Sequence, residues 1–113
     1  MVREQHIQNA ILREFGTRPD MRLWRSNTGA ATYMRNGTKQ RVSFGVPGAA
    51  DITGILYDGR RVEIEVKSAV GRQSPDQKNY QAMIERFNGL YILARSVADV
   101  TDALRGAGYV NHY

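Results

Sequence analysis

The chain has 113 residues, of which 42% are apolar and 24% are charged, and its formal net charge is +5. A chain of this length builds one hydrophobic core and its composition is ordinary for a globular protein, so we predict a single domain spanning residues 1–113 and exclude a disordered or fibrous chain. It contains no cysteine, which excludes disulfides and thiolate metal sites.

The sequence has no segment of the kind that directs a chain into or through a membrane. Its first residues lack the apolar run of a signal peptide, and no stretch approaches the roughly 20 apolar residues that a membrane helix requires. We therefore expect a cytoplasmic protein, in a bacterium or in a phage-infected cell.

Basic residues are concentrated in one part of the chain. Between residues 18 and 41, six basic residues stand against one acid, whereas the rest of the chain carries ten of each sign. A segment of this kind is typical of a face that binds a polyanion, because each neutralised phosphate releases counterions, but a solvated face that keeps a protein soluble has the same composition. The residues expected to contact nucleic acid, including one in a later helix, are Arg22, Arg25, Arg35, Lys39, Arg41 and Lys78.

The first predicted helix covers residues 3–16. Ile7, Ile11 and Phe15 recur at every fourth position. At about 100° per residue, Glu4 lies on the same stripe. The helix dipole favours a carboxylate in the first turn, and a carboxylate on the core-facing side is also a means of supplying a metal ligand. Both interpretations of Glu4 stay open.

Strand-forming segments follow this helix. Residues 21–27 alternate loosely and predict a strand with Trp24 as its core anchor. Asn36-Gly37 stands between two further runs, which indicates a hairpin with a type I′ turn. Residues 45–48 contain too much Gly and Pro for regular structure, so we predict a loop that leads to Asp51.

Two further strands carry the charged residues of interest. They are predicted at residues 52–57 and 61–68. Asp58-Gly59 joins them as a hairpin turn, and in the second strand Glu63, Glu65 and Lys67 share one face. Alternating charges are common on a solvated strand, and burying such groups costs several kcal/mol each unless they are paired or bound to metal. From this strand alone, a solvated face is the favoured interpretation.

The remaining elements complete the predicted fold. Ser74-Pro75 opens a helix in which Gln77 can close a capping box. Gly89 ends this helix, residues 90–94 form a central strand, and residues 97–105 form a last helix. The buried stripe of the helix that Ser74-Pro75 opens is predicted to be Tyr80, Met83, Ile84 and Phe87. The order of elements predicts an α/β or α+β fold with a mixed sheet.

Asp51 changes the interpretation of the charged strand. It stands at the start of the neighbouring strand, directly after the Gly-Pro segment, and could meet Glu65 there. Oxygen ligands on adjacent strands suit Mg²⁺ or Mn²⁺, which would bind a phosphate oxygen and lower the pKa of a water molecule. Lys67 would orient that water or offset developing negative charge. Together these residues predict a metal-dependent site for phosphodiester hydrolysis.

The predicted hairpin must meet one geometric condition. With an ideal two-residue turn, Asp51 lies opposite Val66 and faces away from the charged residues. A shift by one residue, which sets Asp51 opposite Lys67, brings it to their face. We therefore predict a bulge, either in the turn through residues 58–60 or at Gly54.

The sequence resembles the PD-(D/E)XK nuclease superfamily, and within it most closely the VRR-NUC (virus-type replication-repair nuclease) domains. Its Asp motif is similar to residues 48–51 (Gly-Ala-Ala-Asp), and its Glu-x-Lys motif is similar to residues 65–67 (Glu-Val-Lys). The Asp and the Glu are 14 residues apart. Further segments that resemble the family are residues 25–29, 45–48 and 74–77, so the resemblance covers roughly residues 3–95. The sequence departs from the motif at Ala50, where the superfamily is named for a proline.

The resemblance implies a restriction-endonuclease-like core and a set of residue roles. Asp51 and Glu65 would bind the metal, and the backbone carbonyl of Val66 would add a ligand. Glu4 would match the acidic residue of the family's first helix, and Lys67 its catalytic lysine. The catalytic residues implied are Asp51, Glu65, Lys67 and Gln77, although the capping box explains the glutamine equally well.

The resemblance also implies a function. It indicates an endonuclease that requires Mg²⁺ or Mn²⁺, acts on DNA without a covalent intermediate, and works as a homodimer on branched substrates such as four-way Holliday junctions. An alternative from another class is a non-catalytic basic nucleic-acid-binding module, in which the carboxylates and Lys67 form a structural ion-pair cluster. A third interpretation, an RNA-specific nuclease, has no supporting element that would recognise a 2′-hydroxyl.

Overall fold

The computed structural model describes residues 3–26 and 29–109, and in residues 29–33 and 41–44 it describes the backbone alone. This part of the chain forms three helices and six strands. None of the helices in these ranges is long and apolar enough to cross a membrane. In chain order the elements are α1 (Glu4–Phe15), β1 (Met21–Arg25), β2 (Gly29–Arg35), β3 (Thr38–Phe44), β4 (Ile52–Leu56), β5 (Arg61–Val66), α2 (Pro75–Arg86), β6 (Leu90–Ala94) and α3 (Val97–Gly106).

The central sheet has the strand order β1-β4-β5-β6. The prediction that residues 90–94 form a central strand is wrong, because β6 lies at the edge of this sheet, and its apolar residues are explained by the clusters that pack on both of its faces. β4 runs antiparallel to both of its neighbours, whereas β6 runs parallel to β5. The parallel connection passes through α2, as parallel strands require a crossover. The protein is therefore α+β with a mixed sheet, as the order of predicted elements indicated.

One face of this sheet packs against α1 and α3. The apolar stripe predicted for α1 is confirmed, since Ile7, Ile11 and Phe15 are buried there. They meet the even-numbered residues of β4, β5 and β6, and α3 adds Val100 and Leu104. Because successive side chains of a strand alternate between faces, the odd-numbered residues of the same three strands lie on the other side.

The other face of the sheet is covered only in part. Tyr80 and Ile84 of α2 pack with Tyr91 of β6 and with Ala50, so α2 covers the half formed by β5 and β6. Over β1 and β4 no helix takes its place in the described part of the chain. The prediction that Trp24 anchors the core is wrong, because this side chain lies on the uncovered half and is 52% exposed.

The ends of α2 follow local chemistry. The capping box is present: the Ser74 hydroxyl accepts from the Gln77 N–H at 3.2 Å, and the Gln77 side chain accepts from the Ser74 N–H at 2.8 Å. At the other end Asn88 takes the left-handed conformation, with φ +65°. Gly89 then donates its N–H to the Ile84 carbonyl at 2.8 Å. Phe87, predicted to be buried, lies past the last turn and is 70% exposed, so that prediction is wrong.

The predicted hairpin around Asn36-Gly37 is confirmed. Both residues have positive φ, +52° and +74°, as a type I′ turn requires. β2 and β3 form a two-stranded sheet of their own and pair with no strand of the central sheet. The molecule measures 55 × 34 × 26 Å, an elongated shape for a chain of this length.

The turn between β4 and β5 sets the register on which the predicted site depends. It is a three-residue loop, Tyr57 to Gly59, in which Gly59 has φ +88°. Leu56 donates its N–H to the Arg60 carbonyl, and the Gly59 N–H donates to the Leu56 carbonyl, both at 2.9 Å. This is a type I turn followed by a glycine bulge, so the predicted bulge lies in the turn.

The resulting register places Asp51 beside Glu65. Ile52 pairs with Ile64, and one step further Asp51 stands opposite Glu65. The predicted pairing of Asp51 with Lys67 is wrong, because the shift runs by one residue in the other direction, but it brings the two carboxylates to one face. Gly54 holds no bulge. A Cβ there would lie 2.1 Å from the Arg22 carbonyl oxygen, so this glycine permits a close approach of β1.

Candidate active site

The face of β5 that carries alternating charges is buried. Glu63 and Glu65 are each 1% exposed, under α2 and beside β6. The interpretation of this face as solvated is therefore wrong. Two carboxylates side by side in an interior must each be stabilised by hydrogen bonds, by a positive charge or by a ligand.

Glu63 has all of its oxygens occupied. Its carboxylate accepts hydrogen bonds from the hydroxyls of Thr53 and Tyr80, and Arg61 Nε donates to it at 3.1 Å. This cluster joins β4, β5 and α2, and it explains how a buried carboxylate at this position is tolerated. The Tyr80 ring is part of the core, as predicted, and its hydroxyl has a specific acceptor.

Glu65 is held on one side only. The Tyr91 hydroxyl donates to Oε1 at 2.6 Å. The other oxygen, Oε2, is buried without any hydrogen-bond partner, and the nearest cation, Lys67 Nζ, lies 4.0 Å away. A buried carboxylate oxygen left in this way is costly, since the desolvation of the charge is not compensated.

Asp51 is fixed between the two strands. It is half-buried, and its Oδ2 accepts a hydrogen bond of 2.7 Å from the backbone N–H of Val66. That bond links the residue before β4 to the last residue of β5. It places the carboxylate against the same backbone segment that separates Glu65 from Lys67.

Glu4 reaches the same place from α1. It is half-buried, and its Oε2 accepts a 3.2 Å hydrogen bond from the backbone N–H of Ser68, the residue after Lys67. The carboxylate of the first helical turn therefore lies at the end of β5. Of the predicted site residues, the structure brings together Glu4, Asp51, Glu65, Val66 and Lys67.

Burial first, and neighbouring negative charge second, raise the pKa values of this cluster. Burial raises the pKa of Asp51 above its ordinary range, the Glu4 charge adds to this, and the Val66 hydrogen bond and Lys67 oppose it. Burial also raises the pKa of Glu65, against the Tyr91 hydrogen bond and Lys67. The cluster contains three carboxylates and one lysine, so an additional positive charge would be stabilised there.

The donor set is compatible with a divalent cation. Glu65 Oε2 is an unsatisfied anionic oxygen, and Asp51 lies across from it. Within residues 3–26 and 29–109, no three His, Cys, Asp or Glu side chains already form a metal cage. Mg²⁺ does not need one, because it is usually held by one or two carboxylates together with water and phosphate oxygens. Asp51, Glu65 and the backbone of Val66 would supply the protein ligands.

We expect the metal-free protein to lose stability as the pH rises. A raised folded-state pKa means that the native state holds the proton of Glu65 more tightly than the unfolded chain does. This contribution to stability is fully present below the ordinary pKa of 4.5 and is lost as the pH rises through the folded-state pKa. Melting temperatures in EDTA at several pH values, for wild type and Glu65→Gln, would measure this. The wild type should lose stability relative to the variant between acidic and neutral pH, and parallel curves would contradict the prediction.

Two polar residues of the site were not identified from the sequence. Tyr91 positions Glu65, and Gln73 Nε2 in turn donates to the Tyr91 hydroxyl at 3.3 Å and to Gln81 at 2.9 Å. Burial raises the pKa of Tyr91, so its hydroxyl stays protonated and donates. A signal was available, since a tyrosine in a strand otherwise predicted to be wholly buried needs a partner for its hydroxyl.

Gln77 has a structural role in this arrangement. Its side-chain carbonyl is engaged by the Ser74 N–H in the capping box. The start of α2 also receives the loop before Asp51, because a Cβ on Gly48 would lie 2.3 Å from the Asp76 carbonyl carbon and oxygen. The loop therefore packs directly on the helix end, which fixes the approach of the chain to Asp51.

The basic residues predicted to contact nucleic acid are spread over the surface. The Arg25 guanidinium donates to the side chains of Gln8 and Asn9 of α1, on the far side of the sheet from the cluster. Arg22 is exposed on β1, with NH1 donating to the carbonyls of Arg18 and Met21. Elsewhere, Arg35 and Lys39 are exposed at the tip of the hairpin, Lys78 is exposed on α2, and Arg41 lies in β3 with its side chain outside the described residues.

No protein-family model matches the chain, and no curated protein matches it. The resemblance to VRR-NUC domains therefore rests on the sequence motifs alone.

Proposed function

We propose that this protein is a divalent-metal-dependent DNA endonuclease of the PD-(D/E)XK type, with a restriction-endonuclease-like core. The observation that carries the proposal is Glu65 Oε2, a buried carboxylate oxygen without a hydrogen-bond partner. It lies in a cluster with Asp51, Glu4 and Lys67, on the face of β5 where the Asp and Glu-x-Lys motifs coincide. The cofactor would be Mg²⁺ or Mn²⁺.

Comparison of the two buried glutamates supports a site over a purely structural cluster. Glu63 meets three donors and needs no further partner. Glu65, two residues along the same strand, keeps one oxygen unpaired although it is equally buried. If both glutamates were structural, both would be expected to have satisfied oxygens. This difference favours the enzyme over the binding module.

Each residue then has a defined task. Asp51 and Glu65 hold the cation, with the Val66 carbonyl as a further ligand, and Tyr91 keeps the Glu65 carboxylate in position. Lys67, with its ammonium 4.0 Å from Glu65 Oε2, orients the attacking water or offsets the charge that develops on the phosphate. The bound cation supplies Lewis-acid chemistry and lowers the pKa of water. Glu4 completes the acidic side of the site.

The substrate that we propose is DNA, with branched DNA preferred and two copies of the chain acting together. The net charge of +5 and the exposed basic side chains of the hairpin and of α2 support a polyanionic substrate. A homodimer would bring two cation sites and two such hairpins to one junction. These exposed residues would position the phosphate backbone rather than read bases.

The proposal is tested by cleavage of labelled linear, flapped and four-way-junction DNA with Mg²⁺, Mn²⁺, Ca²⁺ or EDTA. We expect cutting with Mg²⁺ or Mn²⁺ only. Lys67→Ala should reduce it roughly 100-fold while DNA binding is kept, because the lost group acts on charge that develops in the transition state. Arg105→Ala, which removes an exposed basic side chain from the last turn of α3, is the control and should cut within a few-fold of wild type.

The opposite result has a clear meaning. If no DNA is cut under any condition while DNA is bound in a salt-sensitive way, the protein is a binding module and the cluster is structural. If RNA of the same form is cut in preference to DNA, the substrate assignment changes but the site remains.

A further inference from the structure

The uncovered half of the sheet lies beside the candidate active site. It consists of the face of β1 and β4 that carries Arg22, Trp24, Thr53 and Ile55, and we call it the open half-sheet. Trp24 is 52% exposed and Ile55 is 47% exposed, in a protein whose other face is closed by two helices. Exposed apolar groups gathered in one place mark a surface that a partner covers.

The register places Trp24 on the same face as the site. Trp24 pairs with Thr53, and Thr53 pairs with Glu63. Two residues further along their strands stand Asp51 and Glu65, a distance of about 7 Å. The indole is therefore next to the position at which a scissile phosphate would bind, one strand out from Asp51.

The chemistry of the open half-sheet combines an aromatic ring with positive charge. Neither β1 nor β4 contains an acidic residue. Arg22 is exposed on β1, and the Arg61 side chain, 61% exposed, borders a groove that it shares with Trp24 and Ile55. Aromatic rings for stacking and cations for phosphates are the features of surfaces that bind single-stranded nucleic acid.

We propose that Trp24 is a stacking platform for an unpaired nucleobase next to the scissile phosphate, so that the site prefers DNA with a single-stranded segment. This inference rests on the proposed nuclease function and specifies its substrate. A base inside a regular duplex is stacked on both faces and cannot lie on the indole. A flap, a splayed end or a junction presents an unstacked base that can.

A second copy of the chain is a less suitable occupant of this surface. In a two-fold symmetric contact each surface meets itself. Arg22 would face another arginine, and no acidic residue of β1 or β4 would balance it, whereas Arg61 is already paired with Glu63. Nucleic acid satisfies the charge of Arg22 with its phosphates.

The experiment uses the fact that Trp24 is the single tryptophan of the chain. Its fluorescence is recorded in EDTA, where no cleavage occurs, during titration with oligothymidylate or with a blunt duplex. Binding is measured separately by the anisotropy of labelled DNA. We expect the single strand to quench Trp24 emission and the duplex to leave it nearly unchanged.

Matched variants separate stacking from folding. Trp24→Ala should weaken binding of oligothymidylate roughly 10- to 100-fold, and Trp24→Phe should weaken it less. Phe87→Ala, which removes an exposed aromatic ring after α2, should bind as wild type does. Trp24 lies outside the core cluster, so the variants should still fold, and a single cooperative thermal transition in each verifies this.

Three results would overturn the inference. The first is binding of oligothymidylate without quenching, and the second is unchanged affinity in Trp24→Ala. The third is evidence that a second copy of the chain covers the surface. In that case Trp24 emission would depend on protein concentration without DNA, and sedimentation would give a two-chain mass that Trp24→Ala abolishes. Quenching by single strands from a protein that cuts nothing would support the platform and overturn only the proposed nuclease.

Discussion

Glu65→Gln is expected to abolish cleavage and to leave the protein folded. Glutamine has the shape of glutamate and can still accept the Tyr91 hydrogen bond, but it removes the charge from the buried oxygen that has no partner. The loss should exceed the roughly 10- to 100-fold that removal of a residue merely supporting a metal ligand costs. Without metal, the variant should be at least as stable as wild type at neutral pH, since a buried uncompensated charge has gone.

Glu63→Gln is the matched control, because it makes the same change two residues away at an equally buried position. An amide at this site would turn an N–H toward one of the groups that now donate to the carboxylate. We expect the free energy of unfolding to fall by about 1.5–3 kcal/mol, the range for a hydrogen bond to a charged group. Cleavage per folded molecule should be kept.

The two variants together form the test. Urea unfolding gives the stability, cleavage of junction DNA with Mg²⁺ gives the activity, and the rise of the melting temperature on adding Mn²⁺ gives metal binding. Only Glu65→Gln should lose cleavage activity and metal binding. Normal cutting by Glu65→Gln would remove this glutamate from the site, and equal losses in the two variants would make both structural.

Gly48→Ala is expected to have the second largest effect, on stability and activity together. Gly48 has φ +75°, and a Cβ there would lie 2.3 Å from the Asp76 carbonyl and 2.7 Å from the Gln77 nitrogen. The backbone strain alone costs about 1–3 kcal/mol. The clash adds to it, because both neighbours are main-chain atoms that cannot move aside. Relief requires the loop to move away from α2, which displaces Asp51 three residues later.

Gly59→Ala is its control. Gly59 also has positive φ, +88°, but a Cβ there would meet nothing within 4 Å. It should cost about 1–2 kcal/mol, the strain of the left-handed conformation, with cleavage retained. Thermal unfolding and the cleavage assay distinguish the two. If Gly48→Ala and Gly59→Ala are equally stable and equally active, the packing of the loop on α2 does not position the site.

Local chemistry made much of the fold predictable from the sequence. The capping box of Ser74 and Gln77 and the type I′ turn at Asn36-Gly37 depend on a few adjacent residues, and both are confirmed. The apolar residues at every fourth position of α1 correctly predicted a helix, and the short apolar run of β6 correctly predicted a strand. In each case the information lies within a single helix, strand or turn.

The failed predictions depend on tertiary arrangement. Trp24 is out of phase with the buried residues Met21 and Leu23 and shares a face with Arg22. That face is uncovered because α2 packs over β5 and β6 instead. Phe87 continues a helical stripe past Arg86, the last residue of α2. Asp58-Gly59 suits both a two-residue turn and a three-residue loop with a glycine bulge, so the sequence did not determine the register.

The candidate site was predictable in its residues but not in its energetics. The alternation of Glu63 with Glu65 showed that they share a face and could not show that the face is buried. The difference between them arises from Tyr80 and Thr53 on one side and Tyr91 on the other, which come from three different elements. The state of Glu65 Oε2 is a property of that assembly.

The three-residue loop from Tyr57 to Gly59 has an evolutionary consequence. Surface turns are usually the places where a lineage can gain or lose a residue without harm. In this turn, a one-residue change in length would carry Asp51 to the opposite face from Glu65, since the period of a strand is two. The proposed site would therefore place the length of this loop under selection, even though none of its side chains belongs to the site. We expect a one-residue insertion here to abolish the proposed activity as completely as the loss of a carboxylate.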